Sequence, residues 1–337
     1  MTTRVSVDLD RELLAAAIDA VATRRGFTGF PAGADREPAS RVAAEQLLAG
    51  RRGTTIGLST AADQVLNPGE FSPFTRESLG IGYATPSVAD AVALADDAVA
   101  ALMAAGPQLR LAVCLETLKR LYARRAEFAA VTMHTTGQSI AMAENGSGVN
   151  ALDRGLEAVA LAAAAMDRVP PQATWTEAGR GSADGRLLKR YTLVPRGVAL
   201  VITCASFPAW NAYPAIVANI ATGNPVLVKP HPTSVLGPAL AVEVLRSVLA
   251  DAGLPIDAAQ LIVDTAAAPI AQSVVAQPPV RVVDFTGSPR FGEWLEGNCP
   301  NALVFTETAG VNSVVLDSVD DLGRVARALA TSLSLFS

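Results

Sequence analysis

The segment from Pro195 to Lys229 constrains the fold more than any other part of this chain. Val198 to Cys204 is a short apolar run rich in β-branched residues, the composition of a strand covered on both faces in a parallel sheet. Phe207 and Pro208 end it, and Trp210, Tyr213, Ile216, Val217 and Ile220 follow at helical spacing. Gly223 and Asn224 stop that helix, Pro225 sharpens the stop, and Val226 to Val228 open a second strand ending at Lys229. Strand, helix and strand in this order make a βαβ unit. Ligands of open α/β sheets gather outside the carboxyl ends of the strands, so Thr203 to Ser206 and Lys229 to Pro232 are predicted to border one crevice.

A chain of 337 residues can bury a large core and has room for two domains. Half of it is hydrophobic, which excludes a disordered chain, and 27 basic residues against 32 acidic ones, with no block of one sign, argue against nucleic acid as a partner. Cys114, Cys204 and Cys299 are odd in number and far apart, and the chain has only two histidines. Neither a disulfide framework nor a metal site is expected from them, and a reducing cytoplasm fits. No basic start followed by an apolar core marks a signal peptide. Even the alanine-rich stretch Leu156 to Met166 carries Glu157 between flanking charges, so no membrane span is expected.

In chain order, residues 1–86 read as an N-terminal extension with helices near Arg11 to Arg24 and Arg41 to Leu48, and Thr54 to Pro73 gives few regular signals. Residues 87–170 form a helical block, with helices from Ser87, from about Gln108 to Tyr122, from Glu127 to Thr135 and from about Asn150 to Met166. Residues 171–195 hold Gly179, Gly181 and Gly185 ahead of the alternating run Arg186 to Val194, which reads as a hairpin. Residues 196–307 carry the βαβ unit, a helix to about Ala250, short strands at Leu261 to Val263 and Val280 to Asp284, and a tight turn Phe285-Thr286-Gly287-Ser288 into a further helix. Free N–H groups at such a helix start favour an anion such as a pyrophosphate. A strand at Leu303 to Phe305 leads into Glu307, and Val314 to Leu316 reads as another strand. In the final helix Val325, Leu329, Leu333 and Phe336 share one face, and a helix that ends while still apolar points to more chain beyond residues 308–337.

Taken together, Pro195-Arg196-Gly197-Val198, Ile202-Thr203 with Phe207-Pro208, Gly223-Asn224 through Val228-Lys229-Pro230, Phe285-Thr286-Gly287-Ser288, and Glu307 followed by Gly310 resemble the aldehyde dehydrogenase superfamily over Ser87 to Ser337. The wording of Cys204-Ala205-Ser206, Lys229-Pro230-His231-Pro232 and Thr308 to Asn312 is most similar to the branch associated with phenylacetate degradation. The resemblance implies an α/β fold with a Rossmann-like open parallel sheet, flanking helices and a helical N-terminal region. It implies oxidation of a small-molecule aldehyde to an acid with NAD or NADP: a cysteine thiolate attacks the carbonyl, hydride passes to the nicotinamide, and water activated by Glu307 releases the product. Ile202 and Thr203 would lie along the dinucleotide, Lys229 would reach the adenosine ribose, Gly287 would allow close backbone approach and Ser288 would donate to the pyrophosphate. Phe285, Phe291 and Thr308 would line the channel. A homo-oligomer is implied for a full-length form, through the strand Arg186 to Val194.

Three departures from the family pattern stand out. Ser206 occupies the position of an asparagine that helps hold the oxyanion, and loss of such a donor costs about 3 kcal/mol. Pro232 stands where many members carry a glutamate that accepts from the adenine ribose, so NADP is expected no less than NAD, with His231 as a further source of positive charge. Leu335-Phe336-Ser337 matches the segment before the nucleophilic cysteine, so the chain reads as truncated and inactive alone, and Cys114, Cys204 and Cys299 read as incidental thiols. Other readings stand beside these. Lys229 also fits a solubilising surface charge, Glu307 a solvated carboxylate and His231 simple packing. The whole chain also fits a non-catalytic dinucleotide-binding or oligomer-partner protein, and a hydrolase using Glu307 and Ser206 would need a histidine that is not placed for it.

Overall fold

A computed structural model describes residues 7–32, 38–177, 185–310 and 313–334. Gly179, Gly181, Val311, Asn312 and Leu335 to Ser337, which figure in the sequence reading, lie outside the described residues. Helix α1 (Arg11–Thr23) starts where Asp10 accepts from the Leu13 N–H and stops where Arg24 turns left-handed at φ 57°. Helix α2 (Pro38–Arg51) follows. The next stretch, in which the sequence showed few signals, forms β1 (Thr55–Gly57), β2 (Gln64–Leu66), the short hairpin β3 (Phe71–Ser72) with β4 (Glu77–Ser78), and β5 (Gly82–Thr85). β5 lies between β1 and β2 in a small three-stranded sheet. Strands this short lack the alternation that sequence reading depends on.

The helical block comprises α3 (Val88–Ala123), α4 (Arg125–Thr136), α5 (Ile140–Asn145) and α6 (Ala151–Asp167), with a π-helical turn at Gly146–Asn150 between the last two. Ser87 caps α3, as its spacing to Asp90 predicts. The two helices expected across residues 87–122 are joined at a kink, where Gly106 takes φ 72° and ψ 165° ahead of Pro107. Arg110, just past the kink, is buried and donates to the carbonyls of Leu102 and Ala221. Val99–Ala123 is long and apolar enough, by length and composition, to cross a bilayer. Here it packs against α6 and against the later helices, the setting of a core helix.

The expected hairpin is present as β6 (Gln172–Glu177) and β7 (Gly185–Arg190), antiparallel from Gln172 opposite Arg190 to Glu177 opposite Gly185. The main sheet follows. β8 (Val198–Ile202), α7 (Pro208–Thr222) and β9 (Val226–Lys229) form the βαβ unit, with Gly223 closing α7 at φ 91°, a conformation that an L side chain pays to adopt. Next come α8 (Leu236–Asp251), β10 (Ala259–Leu261), α9 (Ala271–Val275), β11 (Val280–Gly287), α10 (Pro289–Asn298) and β12 (Leu303–Thr308). All five strands are parallel, in the order β10-β9-β8-β11-β12. Alternate residues face opposite layers. Val201, Val228 and Val282 pack with α7 and α8, whereas Leu200, Leu227 and Val283 pack with α9, α10 and the start of α3. The expected parallel sheet with helices on both faces is therefore present.

Three sequence expectations change. Phe285 to Gly287 belong to β11 and make no separate turn, because β12 pairs with β11 as far as Gly287 opposite Thr308. Glu307 likewise sits in a strand, opposite Thr286. Val314 to Leu316 form no strand, and Val315 is 90 % exposed. The last helix, α11 (Leu322–Leu333), is capped by Asp321 and buries none of its residues, so its apolar stripe is uncovered.

One contact ties the N-terminal strands to the main sheet. Glu70 is 2 % exposed, and its Oε1 accepts the backbone N–H groups of Val235 and Leu236 at 2.7 and 2.9 Å while its Oε2 accepts from the Tyr83 hydroxyl. Replacing Glu70 by Ala leaves three enclosed donors without a partner. We expect Glu70→Ala to lose about 3 to 5 kcal/mol in urea unfolding and Glu70→Gln, which keeps an acceptor oxygen, to lose less than half of that. Equal losses would show that only the volume of the side chain matters.

Candidate active site

The strand order places a topological switch between β8 and β11. β9 and β10 extend the sheet to one side and β12 to the other. Connections leave β8 and β11 toward opposite faces, so a crevice opens between their carboxyl ends. A cavity of about 890 Å³ occupies it. The candidate site residues line this cavity: Ile202, Thr203 and Ser206 after β8, Lys229 and His231 after β9, Phe285, Gly287, Ser288 and Phe291 from β11 and α10, and Glu307 and Thr308 from β12; Pro232, expected at the same crevice, is not part of the lining.

The loop after β8 is held from several sides. The Thr203 N–H donates to the Lys229 carbonyl at 3.1 Å, extending the β8–β9 ladder, and Gln138 Nε2 donates to the Ser206 carbonyl at 2.5 Å. The Thr203 side chain is 2 % exposed and its Oγ1 has no hydrogen-bond partner, an arrangement that calls for a ligand group at the cavity wall. Ser206 is exposed, with Oγ turned toward Cys204 Sγ at 3.9 Å. Ser288 is exposed at the start of α10, caps nothing with its hydroxyl, and so leaves the helix N–H groups and that hydroxyl free for an anion.

Two expected roles are modified by the geometry. A Cβ on Gly287 would lie 2.6 Å from Phe285 Cζ, so the missing side chain makes room for the Phe285 ring itself. That ring packs edge-on to Phe291, which stacks on Trp294 at 5.5 Å, so the aromatic wall is a packed unit. His231 was expected to add positive charge. Burial, followed by the neighbouring Lys229 ammonium, lowers its pKa against a smaller opposite pull from Asp264, which favours the neutral ring. Its Nδ1 meets Thr233 Oγ1 at 2.8 Å.

Sequence reading missed two residues on the cavity wall, Asp264 and Asn211. Asp264, 2 % exposed, sits just past β10 and accepts from Lys229 Nζ at 2.8 Å and from the Ile270 N–H at 3.0 Å. The rule that ligands meet the carboxyl ends of strands applied equally to Leu261–Val263 and could have found it. Asn211, in the first turns of α7, has an enclosed Oδ1 with no partner. Its helical position made it look like surface. Cys204 lines the cavity with its Sγ accepting the Phe207 N–H at 3.3 Å, whereas Cys114 and Cys299 are buried and burial raises both thiols. Among the described residues no group of three or more His, Cys, Asp or Glu side chains is gathered as a metal site.

Asp284 lies one diagonal from Glu307 across the β11–β12 ladder. Burial first, and then the Glu307 carboxylate, push it up to about 6. A carboxyl that binds its proton more tightly when folded loses stabilising effect as pH rises from the ordinary carboxylate range through that value. Asp284→Asn removes the loss, so the variant should gain about 1 to 3 kcal/mol over the parent between about pH 4 and pH 7 in urea unfolding. Parallel pH profiles would show that Asp284 is not the titrating group.

The sequence profile of the Aldehyde dehydrogenase family matches residues 70–337. The crystal structure of an NAD-dependent aldehyde dehydrogenase from Burkholderia multivorans superposes with a TM-score of 0.90 and 36% identity, over 96% of this chain and 58% of that one. A benzaldehyde dehydrogenase [NAD(+)] of Pseudomonas putida is 33% identical over 137 residues, 40% of this chain and 27% of that protein. A 1-pyrroline-5-carboxylate dehydrogenase of Geobacillus kaustophilus is 30% identical over 156 residues, 44% of this chain and 29% of that one. The alignments thus span under a third of the two curated relatives. With its profile match, its parallel sheet and the convergence of its motifs on one crevice, the chain belongs to the aldehyde dehydrogenase family.

Proposed function

We propose that this chain supplies the dinucleotide crevice and the general base for oxidation of an aldehyde to a carboxylic acid with NAD or NADP. The observation that carries this reading is the meeting of the β8, β9, β11 and β12 ends at one cavity, with Glu307 on its wall. The residues present fit the dinucleotide. Thr203 offers an enclosed hydroxyl without a partner, Ser288 a free hydroxyl at a helix start, and Phe285 with Phe291 an apolar wall. A bound nicotinamide would supply the hydride acceptor. Around it, Ser206 donates to the carbonyl oxygen as charge develops there, and Glu307 takes the proton of the water that releases the acid.

The attacking thiol is proposed to come from outside residues 1–337. Cys114 and Cys299 are buried, and the Cys204 sulfur is engaged by the Phe207 N–H. An aldehyde from aromatic catabolism, of the phenylacetate type, fits the wording of the motifs. It also fits a second cavity of about 690 Å³ beside the first, where Met142, Phe207 and Trp210 supply apolar wall. The division into an extension (1–86), a helical part (87–170), a hairpin for subunit contact (171–195), a dinucleotide domain (196–307) and the start of a catalytic domain (308–337) belongs to the same proposal.

Fluorescence titration of the chain with NADH is expected to saturate. Ser288→Glu, which sets a carboxylate where the pyrophosphate would lie, should weaken binding about tenfold or more. Glu307→Gln, which touches only the chemical step, should leave affinity within about twofold. A folded chain that binds neither NADH nor NADPH, or binds NADH equally well with Ser288→Glu, would overturn the reading.

A further inference from the structure

Lys229 and Asp264 close the β9 and β10 end of the cavity as a buried ion pair. Lys229 is 6 % exposed and Asp264 2 %, and Nζ to Oδ1 is 2.8 Å. The rest of the ammonium's hydrogen bonding goes to the Pro230 carbonyl at 3.2 Å, and the second Asp264 oxygen is held by the Ile270 N–H. Both groups are therefore fixed in place and matched in charge. Two buried charges at contact distance act on a third group as a dipole, much more weakly than either would alone.

This matters for what the end of the cavity can hold. A 2′-phosphate brings about two negative charges and needs an unmatched cation, whereas a ribose 2′-hydroxyl needs one neutral partner. Lys229 is the only lysine or arginine among the described residues lining the cavity. It is already neutralised. Glu307, on β12 at the opposite edge of the sheet, brings no cation either, so the Lys229 end has none to spare. His231 shares this end, and its burial and the adjacent Lys229 disfavour the imidazolium.

We propose that Asp264 is a specificity-determining residue: by holding Lys229 as its counter-ion it leaves a 2′-phosphate no free cation, so the crevice takes NAD in preference to NADP. The carboxylate that sequence reading looked for three positions after the lysine is thus supplied from the neighbouring strand end, 35 residues further along the chain. This rests on the dinucleotide reading above and narrows it to one cofactor. No chemical step is involved, so the inference concerns binding alone.

The test is paired titration of the whole chain with NADH and NADPH, followed by cofactor fluorescence at fixed salt. The parent is expected to bind NADH about tenfold or more tightly than NADPH. Asp264→Asn keeps the shape and one acceptor oxygen but frees the Lys229 charge, so NADPH affinity should rise about tenfold while NADH changes by less than about threefold. His231→Arg adds a permanent cation beside the buried pair without replacing either of its members, and should move the ratio in the same direction by about fivefold. It serves if Asp264→Asn fails to fold. Equal affinities in the parent, a parent that prefers NADPH, or a folded Asp264→Asn variant with an unchanged ratio would each overturn the assignment. Should Asp264→Asn not fold, an unchanged ratio in His231→Arg would overturn it as well. Failure of both cofactors to bind the folded parent would instead remove the dinucleotide reading on which it stands.

Discussion

A carboxylate from outside the main sheet fixes the loop that the crevice depends on. Glu70 reaches across to the first N–H groups of α8, which follow directly on the segment from Lys229 to Ser234. Burying a charge is costly, and burial raises the pKa of Glu70 against the pull of its three hydrogen bonds. Those bonds and the positive end of the helix offset the cost. The consequence is coupling. Strands β3 to β5, which carry none of the motifs, set where the β9 loop sits, because Glu70 precedes β3 and Tyr83 lies in β5. An arginine and glutamate network works in parallel on the helical side, where Arg51 and Arg124 both bond the buried Glu127 and Arg124 reaches Glu243 on α8.

The crevice itself follows from strand order. Parallel strands put every carboxyl end on one side, and the reversal between β8 and β11 parts their connections. Two of the buried polar atoms that the fold leaves unpaired face the crevice. Thr203 Oγ1 and Asn211 Oδ1 are enclosed without partners. Unpaired buried polar atoms cost about 1 to 3 kcal/mol each, a cost that selection for stability alone would remove. Their position on one cavity wall is physical support for a bound ligand that does not depend on any family likeness. The Lys229–Asp264 pair is the contrasting case, since its groups are already satisfied and act by charge balance.

Most of this was legible in the sequence where the pattern was local. Apolar β-branched runs bounded by proline and glycine marked β8 and β9, and Ser87 and Gly223 marked helix ends. The positions of Ser206 and Lys229 beside one crevice followed from strand ends alone, whereas Ser288 and Glu307 were assigned through the family resemblance. What escaped was set by partners distant in the chain. Glu70 is an ordinary acidic residue until Val235 and Leu236 are brought to it, and Asp264 looks like a loop residue until it meets Lys229. The run Phe285 to Gly287 carries turn residues, yet tertiary pairing with β12 keeps it extended. His231 could be placed, but the direction of its titration depends on burial that no local pattern reveals.

Burial is distributed unequally along the crevice, and this separates recognition from chemistry. At the Lys229 end both charged groups are nearly inaccessible, so their fields act through a poorly screening medium and small changes in charge have large effects on binding. At the other end Glu307 is exposed on the edge strand β12, two residues from Phe305 at 54 % exposure. A carboxylate in contact with bulk water holds its own hydration and activates a substrate water poorly; a base gains strength as a catalyst when water is excluded around it. Cofactor choice can therefore be decided by residues within this chain. On the proposed reading of Glu307 as the base, its strength depends on how far the β12 edge is withdrawn from solvent.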